Sequence, residues 1–433
     1  MMQKLIECAA AAGAEFEIYS CSSEKKNVTI ENGELREAEC SLTSGVSLRL
    51  LRDGLYGFAY TKNLGDPAGL VDNALASMKA GVEAKFSFPK TAGLKPLRTY
   101  SEKAEELTSS DLLQEASRTR DILARRTKGQ INTGAAAVTG ACRIFNSSGT
   151  DLEWKESSVT AYGSVVSDGG DTYAEADCGL DRASIPETRL DAAAALFEAG
   201  RREVSPKPGR HKVLFMPEAM HTLLWRLQSG ASGQSLYQKT TPLAGKEGHR
   251  LFPEILTVRN NPLNDAIPGA RAVDDEGTPC SDFPVIEKGV FKGFYYDLNY
   301  AAKSGARPSG HGFRRTMWGG DTVAIRPLPY LGHLYFDKGD KTFDELLREM
   351  GTGLVVFGAL GAHSGNIPNG DFSIGLAPGL YVENGAVAGK AKDTMVSGNI
   401  YDMMTRMIAA GCEASPVLGN NPPVLFDGLN VAC

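Results

Sequence analysis

Ile30-Glu31-Asn32-Gly33-Glu34-Leu35 sets a residue-glycine pair between two short runs of mixed apolar and charged residues. Glycine takes a positive φ without strain and asparagine tolerates one, so Asn-Gly closes a tight hairpin and makes the flanking runs antiparallel neighbours. The arrangement returns at Ile286-Glu287-Lys288-Gly289-Val290-Phe291 and Val382-Glu383-Asn384-Gly385-Ala386-Val387. Ordinary hairpin chemistry accounts for all of them, so they are read as antiparallel sheet and not as an internal repeat.

Working outward, Val46, Leu48 and Leu50 alternate with Ser47 and Arg49, and Asp53-Gly54 supplies a further turn. The stretch from Glu15 to Tyr60 therefore reads as several strands, preceded by a short helix over 2–12. Asp66-Pro67 opens a second helix, a capping side chain followed by proline at the first helical position, and Ser109-Ser110-Asp111 opens a third. Strands are expected again from about Ala135 to Ala176 around the turn Asn146-Ser147-Ser148-Gly149, and a helix near Pro186 to Glu203. Ser205-Pro206-Lys207-Pro208-Gly209 cannot continue that helix. The boundary is placed there, giving an N-terminal α+β domain over 1–205 and a C-terminal strand-rich domain over 206–433. A strand over His211–Met216 and a helix over Glu218–Leu227 open the second domain. The fold class expected is α+β, with curled antiparallel sheets and helices in two domains.

Composition narrows the function. The chain has 433 residues, 42% hydrophobic and 23% charged, with a formal net charge of -6, so it is globular and carries no basic footprint for nucleic acid. No run approaches the ~20 apolar residues of a membrane span, and no leader pattern opens the chain, so a cytoplasmic protein with no membrane partner is expected. Eight cysteines are scattered without a Cys-x-x-Cys pair, which reads as reduced, mostly buried thiols.

The chemical motifs are mostly missing ones. The histidines are 211, 221, 249, 311, 333 and 363, and none forms His-Glu-x-x-His; Gly-x-Ser-x-Gly and the Walker loop are absent as well. What stands out is a set of polar loops in the second half: Gln234 and Ser235 in Ser232-Gly233-Gln234-Ser235, the acidic turn Asp274-Asp275-Glu276-Gly277, and His311 and Arg314 in Ser309-Gly310-His311-Gly312-Phe313-Arg314. Ala362-His363-Ser364-Gly365-Asn366 completes the set. Loops on a sheet scaffold commonly carry binding groups, although each taken singly reads as a solvated loop. The acidic turn lacks the ligand spacing of an EF-hand.

In combination these segments resemble the TldD/PmbA family of metalloproteases. The acidic turn with its following hairpin and Asp297, then Asn369-Gly370-Asp371-Phe372-Ser373-Ile374-Gly375, Tyr381 to Gly385 and Ser397-Gly398-Asn399-Ile400, look like that family's C-terminal half; Asn146 to Gly149 and Asp168-Gly169-Gly170 fit its first half. In the family's catalytic subunits a helix carries His-Glu-x-x-x-His, which with a later cysteine binds zinc. The matching stretch here is Pro217-Glu218-Ala219-Met220-His221-Thr222. Glu218 persists, but Pro217 and Thr222 stand where the ligands would be, and His221 is one place out of register, about 100° around a helix. Gly361 to Asn366 offers no cysteine. A catalytic zinc needs three protein ligands and an open position, so none is expected on this chain.

The resemblance therefore implies a PmbA/TldE-like, non-catalytic subunit with no cofactor of its own. Its partner would be a TldD-like catalytic subunit that holds the zinc, or a second copy in isolation, and its substrate a peptide or unfolded protein. The family is also described as a modulator of DNA gyrase and is linked to peptide maturation. Gln234, Ser235, Asp274, Asp275, Asp297, His311, Arg314 and His363 are the candidates to line a substrate channel. Two alternatives stay open: a metallopeptidase with a relocated metal site drawn from His221, His249, His311 and His363, and a stand-alone homodimeric binding protein.

Overall fold

The computed structural model describes residues 1–167, 170–316, 319–417 and 419–433; Asp168 and Gly169 of the first-half motif lie outside the described residues. Helix α1 (Met2–Ala11) is followed by three long strands, β1 (Glu15–Glu31), β2 (Glu34–Arg52) and β3 (Leu55–Thr61). Their turns are Asn32-Gly33 and Asp53-Gly54, with φ of 51° and 81°, then 54° and 75°. Helix α2 (Pro67–Ser77) is capped by Asp66, whose carboxylate accepts from the Gly69 N–H. After α3 (Glu102–Glu106), α4 (Ser109–Arg126) opens with a reciprocal box in which Thr108 and Asp111 bond each other's backbone. Strands β4 (Gln130–Asn146), β5 (Asp151–Val166) and β6 (Thr172–Gly179) and helix α5 (Glu187–Ala199) complete the half. The six strands form one antiparallel sheet in the order β3-β2-β1-β4-β5-β6.

The second half opens with β7 (Glu203–Val204), β8 (Gly209–Phe215), α6 (His221–Gly230) and α7 (Gly233–Tyr237). Then come β9 (Val258–Asn260), β10 (Phe283–Glu287), β11 (Val290–Phe291), α8 (Leu298–Ser304), β12 (Gly312–Phe313), β13 (Leu328–Pro329), β14 (Leu334–Phe336) and α9 (Phe343–Met350). The closing run is β15 (Gly353–Val356), β16 (Ala359–Leu360), β17 (Asp371–Leu376), β18 (Gly379–Glu383), β19 (Ala386–Ala391), β20 (Met395–Asn399), α10 (Ile400–Met404), β21 (Met407–Ala410) and β22 (Val424–Ala432). Ten strands form the main sheet, ordered β16-β17-β20-β22-β8-β15-β18-β19-β7 with β21 beside β22; a smaller sheet runs β11-β10-β9-β14. The hairpins expected at Lys288-Gly289 and Asn384-Gly385 are both present. The main sheet departs from pure antiparallel pairing at β8-β15 and β7-β19, which are parallel.

One apolar core crosses the boundary between the halves. Val28, Leu123, Val165 and Leu190 pack in a single cluster with Leu214, Val355, Leu380 and Leu425. The thiols differ from expectation. Cys21 and Cys142 face each other in the β1-β4 register and are joined as a disulfide. Of the free cysteines Cys280 is buried, while Cys40 and Cys433 are exposed and Cys8, Cys178 and Cys412 are intermediate. Their neighbours lie far off in sequence, so neither the bridge nor the exposure follows from spacing.

Candidate functional site

The segment that would carry metal ligands starts where β8 leaves the centre of the main sheet. Pro217 fixes its own φ and the chain first makes a tight turn over Pro217–Ala219, so the regular helix begins at His221 and not at Glu218. Pro217 has no donor atom to give a metal. His221 is exposed, and its Nδ1 lies 2.9 Å from the Glu218 carbonyl, to which it donates. Thr222 is fully buried, and its hydroxyl has no hydrogen-bond partner among the described residues.

One helical turn further, Arg226 is fully buried. Its Nη1 donates to the carbonyls of Thr222 (2.7 Å) and Ala362 (2.9 Å), its Nε to Asp371 O (2.7 Å) and its Nη2 to Ser364 O (2.5 Å). Burial pulls the guanidinium pKa down to about 10, with Asp371 opposing it. A zinc ion does not fit here: a proline ring without a donor atom, a buried alcohol and an outward imidazole stand at this segment, and a buried cation already fastens the helix to the glycine-rich loop. Among the described residues no group of three or more His, Cys, Asp or Glu side chains is placed to hold a metal, and the four histidines considered for a relocated centre are not gathered into one.

Glu218 keeps a distinct environment. Its Oε2 is sealed with no hydrogen-bond partner among the described residues, and burial, helped by the nearby Glu175, raises its pKa to about 7. Glu175 is itself bound to Arg189 at 2.5 Å, so residues of β6 and α5 reach the start of the would-be metal helix. The sign of the linkage follows from the raised value. Between about pH 4.5 and 7 the folded chain holds a proton that the unfolded chain releases, so stability falls as pH rises through that window. Glu218→Gln is expected to be near neutral at pH 5 and to stabilise by about 2 kcal/mol at pH 8, read from urea unfolding at both values.

The other candidates fall into two environments. Asp274, Asp275, Asp297, His311 and Arg314 are each no more than 2% exposed, so in this conformation they do not line an open channel. They belong to a sealed polar network tying the halves together. Asp274 accepts from the N–H groups of Glu276, Thr278 and Gly312, and burial with Glu276 beside it raises its pKa. Asp275 is buried too, but Arg271 at 2.7 Å holds its pKa down. Glu276 binds Arg49 of β2 at 2.6 Å, and Arg49 also grips Glu17 of β1 at 2.8 and 2.6 Å. Arg314 reaches Glu17 at 3.1 Å and lies over the Tyr19 ring. Asp297 caps α8 through Tyr300 N–H, and burial followed by repulsion from Glu276 raises its pKa to about 8. His311, between Asn260 and Ser309, is held near pKa 4 by burial and stays neutral. Ser235 is buried on the inner side of α7, whereas Gln234 is half-exposed and His363 exposed.

Arg226, Arg49, Glu17 and Glu175 were not singled out in the sequence. Arg226 left a trace there: a charged residue amid Leu223, Leu224 and Leu227 on a helix has no apolar reason to face inward.

Comparison with known proteins gives the family and the fold. The family model of the PmbA/TldA metallopeptidase C-terminal domain matches residues 208–433, more than half of the chain, and that of PmbA/TldA metallopeptidase domain 1 matches 16–80. A metalloprotease of Methanothermobacter thermautotrophicus is 24% identical over 419 residues, covering 92% of this chain and 88% of that protein. The metalloprotease PmbA of Escherichia coli O157:H7 is 28% identical over 199 residues, 46% of this chain and 40% of that one. The crystal structure of TldE from Thermococcus kodakarensis superposes with a TM-score of 0.88 at 22% identity, covering 100% of both chains, which establishes the shared fold. On the matched C-terminal domain above all, the chain belongs to the PmbA/TldD family of metallopeptidase-like proteins.

Proposed function

We propose that this chain is a non-catalytic, PmbA/TldE-type subunit that pairs with a zinc-bearing TldD-type relative and helps hold a peptide or unfolded-protein substrate for cleavage by that partner. The observation that carries this reading is the start of α6, where Pro217 and buried Thr222 occupy the ligand positions and Arg226 holds the loop that would supply the last ligand. In the proposed complex the partner would hold the zinc, which would supply the Lewis-acid chemistry for peptide hydrolysis. This chain contributes surface: Gln234 and His363 reach solvent, while Ser235, Asp274, Asp275, Asp297, His311 and Arg314 support the loops from beneath. Among the described residues no helix is long and apolar enough to cross a membrane, and we place the pair in the cytoplasm.

The test is cleavage of a fluorescent, casein-derived peptide. The purified chain, saturated with zinc and desalted, should retain far less than one zinc per chain by mass spectrometry and leave the peptide intact. Added to a zinc-bearing TldD-type protein, it should raise cleavage at least tenfold over that protein alone. Zinc-dependent cleavage by this chain alone would overturn the proposal.

A further inference from the structure

Asn-Gly occurs at Asn32-Gly33, Asn369-Gly370 and Asn384-Gly385. All of these asparagines are exposed, and two of them sit at hairpin tips with nearly the same backbone angles: φ is 51° and 81° at Asn32 and Gly33, 54° and 75° at Asn384 and Gly385. What separates them is tertiary. The Gly385 N–H donates to Gly351 O at 2.7 Å, and a Cβ on Gly385 would stand 3.1 Å from the Arg348 Cα. Gly370 is buried against the Tyr401 ring and donates its N–H to Ile367 O at 3.1 Å, while the Asn369 carboxamide donates to Asp371 at 3.2 Å. Gly33 has no such hold. Among the described residues its N–H finds no acceptor, nothing lies within 4 Å of where a Cβ would be, and no side chain bonds the Asn32 carboxamide. The contacts at this tip hold the atoms to either side: Asn32 N–H donates to Ile131 O at 3.1 Å, and Arg120 Nη1 donates to Gly33 O at 3.4 Å.

We propose that Asn32 is a site of spontaneous deamidation, selected by the fold from among three identical dipeptides. The Gly33 amide nitrogen gives its proton to solvent and bonds to the Asn32 Cγ, closing a five-membered imide; the Cγ–Nδ2 bond breaks, and the departing nitrogen takes a proton from solvent and leaves as ammonia. Water then adds to one of the two ring carbonyls. Opening at Cγ gives aspartate, and opening at the Asn32 main-chain carbon gives isoaspartate, whose main chain runs through the former side chain and is longer by one methylene. The net change is amide plus water to acid plus ammonia, with no other reactant. Ring closure requires the peptide plane between residues 32 and 33 to turn toward the side chain. Glycine offers no Cβ to resist that turn, and at Gly33 no hydrogen bond of its N–H has to break first, whereas at Gly370 and Gly385 one must. The product alters the tip. A carboxylate at position 32 joins Glu31 and Glu34, which already oppose each other in the β1-β2 register, and like charges so placed are unfavourable. The lengthened main chain of the isoaspartyl form cannot keep a two-residue turn, so the tip should open and its bond to Ile131 be lost.

The full chain, held in mildly alkaline buffer at physiological temperature, should be sampled over days and mapped by peptide mass spectrometry for the amide-to-acid mass gain. The peptide holding Asn32 should convert at least tenfold faster than those holding Asn369 and Asn384. In the urea-unfolded chain the same peptides should convert at rates within about threefold of one another, because each asparagine is then followed by an equally free glycine. Asn32→Gly, which accepts the positive φ of the turn, should keep the unfolding midpoint of the parent and remove the fast phase of ammonia release. Asp53-Gly54 makes a similar turn but has no side-chain amide, so it adds nothing to either readout. Equal rates in the folded chain, conversion led by Asn369 or Asn384, a tenfold lead of Asn32 that persists in urea, or a fast phase that survives Asn32→Gly would each overturn the proposal. The reaction is read on this chain alone without zinc or peptide, so its outcome is separable from the peptidase reading.

Discussion

Arg49→Met is expected to lower the free energy of unfolding by about 3–5 kcal/mol, the range seen when one partner is removed from a buried ion pair. Arg49 is 2% exposed and holds Glu17 with two nitrogens and Glu276 with a third. Without it two carboxylates remain where burial already penalises charge, and only Glu17 keeps another cation, Arg314 at 3.1 Å. Methionine fills much of the volume, so the loss reports charge more than cavity. Adding Glu276→Gln should recover part of it, since the amide oxygen still accepts from Leu298 N–H and no negative charge is stranded. Urea unfolding of the single and double variants at pH 7 decides this. A single variant as stable as the parent would mean that the contacts of Arg49 with Glu17 and Glu276 add no net stability.

Arg226→Met should cost a similar amount, about 3–4 kcal/mol, for a different reason. Among the described residues no carboxylate is hydrogen-bonded to this guanidinium; its acceptors are the carbonyls of Thr222, Ala362, Ser364 and Asp371. A buried carbonyl left unmade costs about 1–3 kcal/mol, and water entering the gap returns some of it. The damage should be local: amide hydrogens of residues 361–371 should exchange faster by tenfold or more while those of β8 and β15 keep their protection. Arg226→Lys should rescue only in part, because an ammonium lacks the planar fork that reaches acceptors on both the helix and the loop. Uniform loosening of the whole second half would show that the residue is merely core.

Much of the fold was legible because it is decided locally. Asn32-Gly33, Asp53-Gly54, Asp66-Pro67 and the Asp111 start each specify a turn or helix end from a few neighbouring residues. The parallel pairing of β8 with β15 was not, since Lys212 and Gly353 meet only after the intervening chain has closed. The candidate site divides the same way. That Pro217 and Thr222 bring no imidazole to the start of this helix is written in the sequence, and so is the place of His221 between them. The burial of Asp274, Asp275 and Asp297 is not: an acidic turn rich in glycine looks solvated until Arg49, 227 positions from Glu276, is brought against it. Such charges are paired across the fold, and local spacing carries no record of their partners.

The apolar cluster that holds Val28, Leu123 and Leu190 together with Leu214, Val355 and Leu425 also constrains how the protein can be made. When the first half leaves the ribosome, the side of its helices and sheet that meets the later strands has nothing to rest on. At roughly 5–20 residues per second, β22 follows on the order of ten seconds or more later. During that interval the nascent chain exposes an unfinished apolar face, which invites wrong partners. Commitment to the native state must therefore wait for the last strand, and nascent chains stalled before Val424 should depend on chaperones that the finished protein no longer needs.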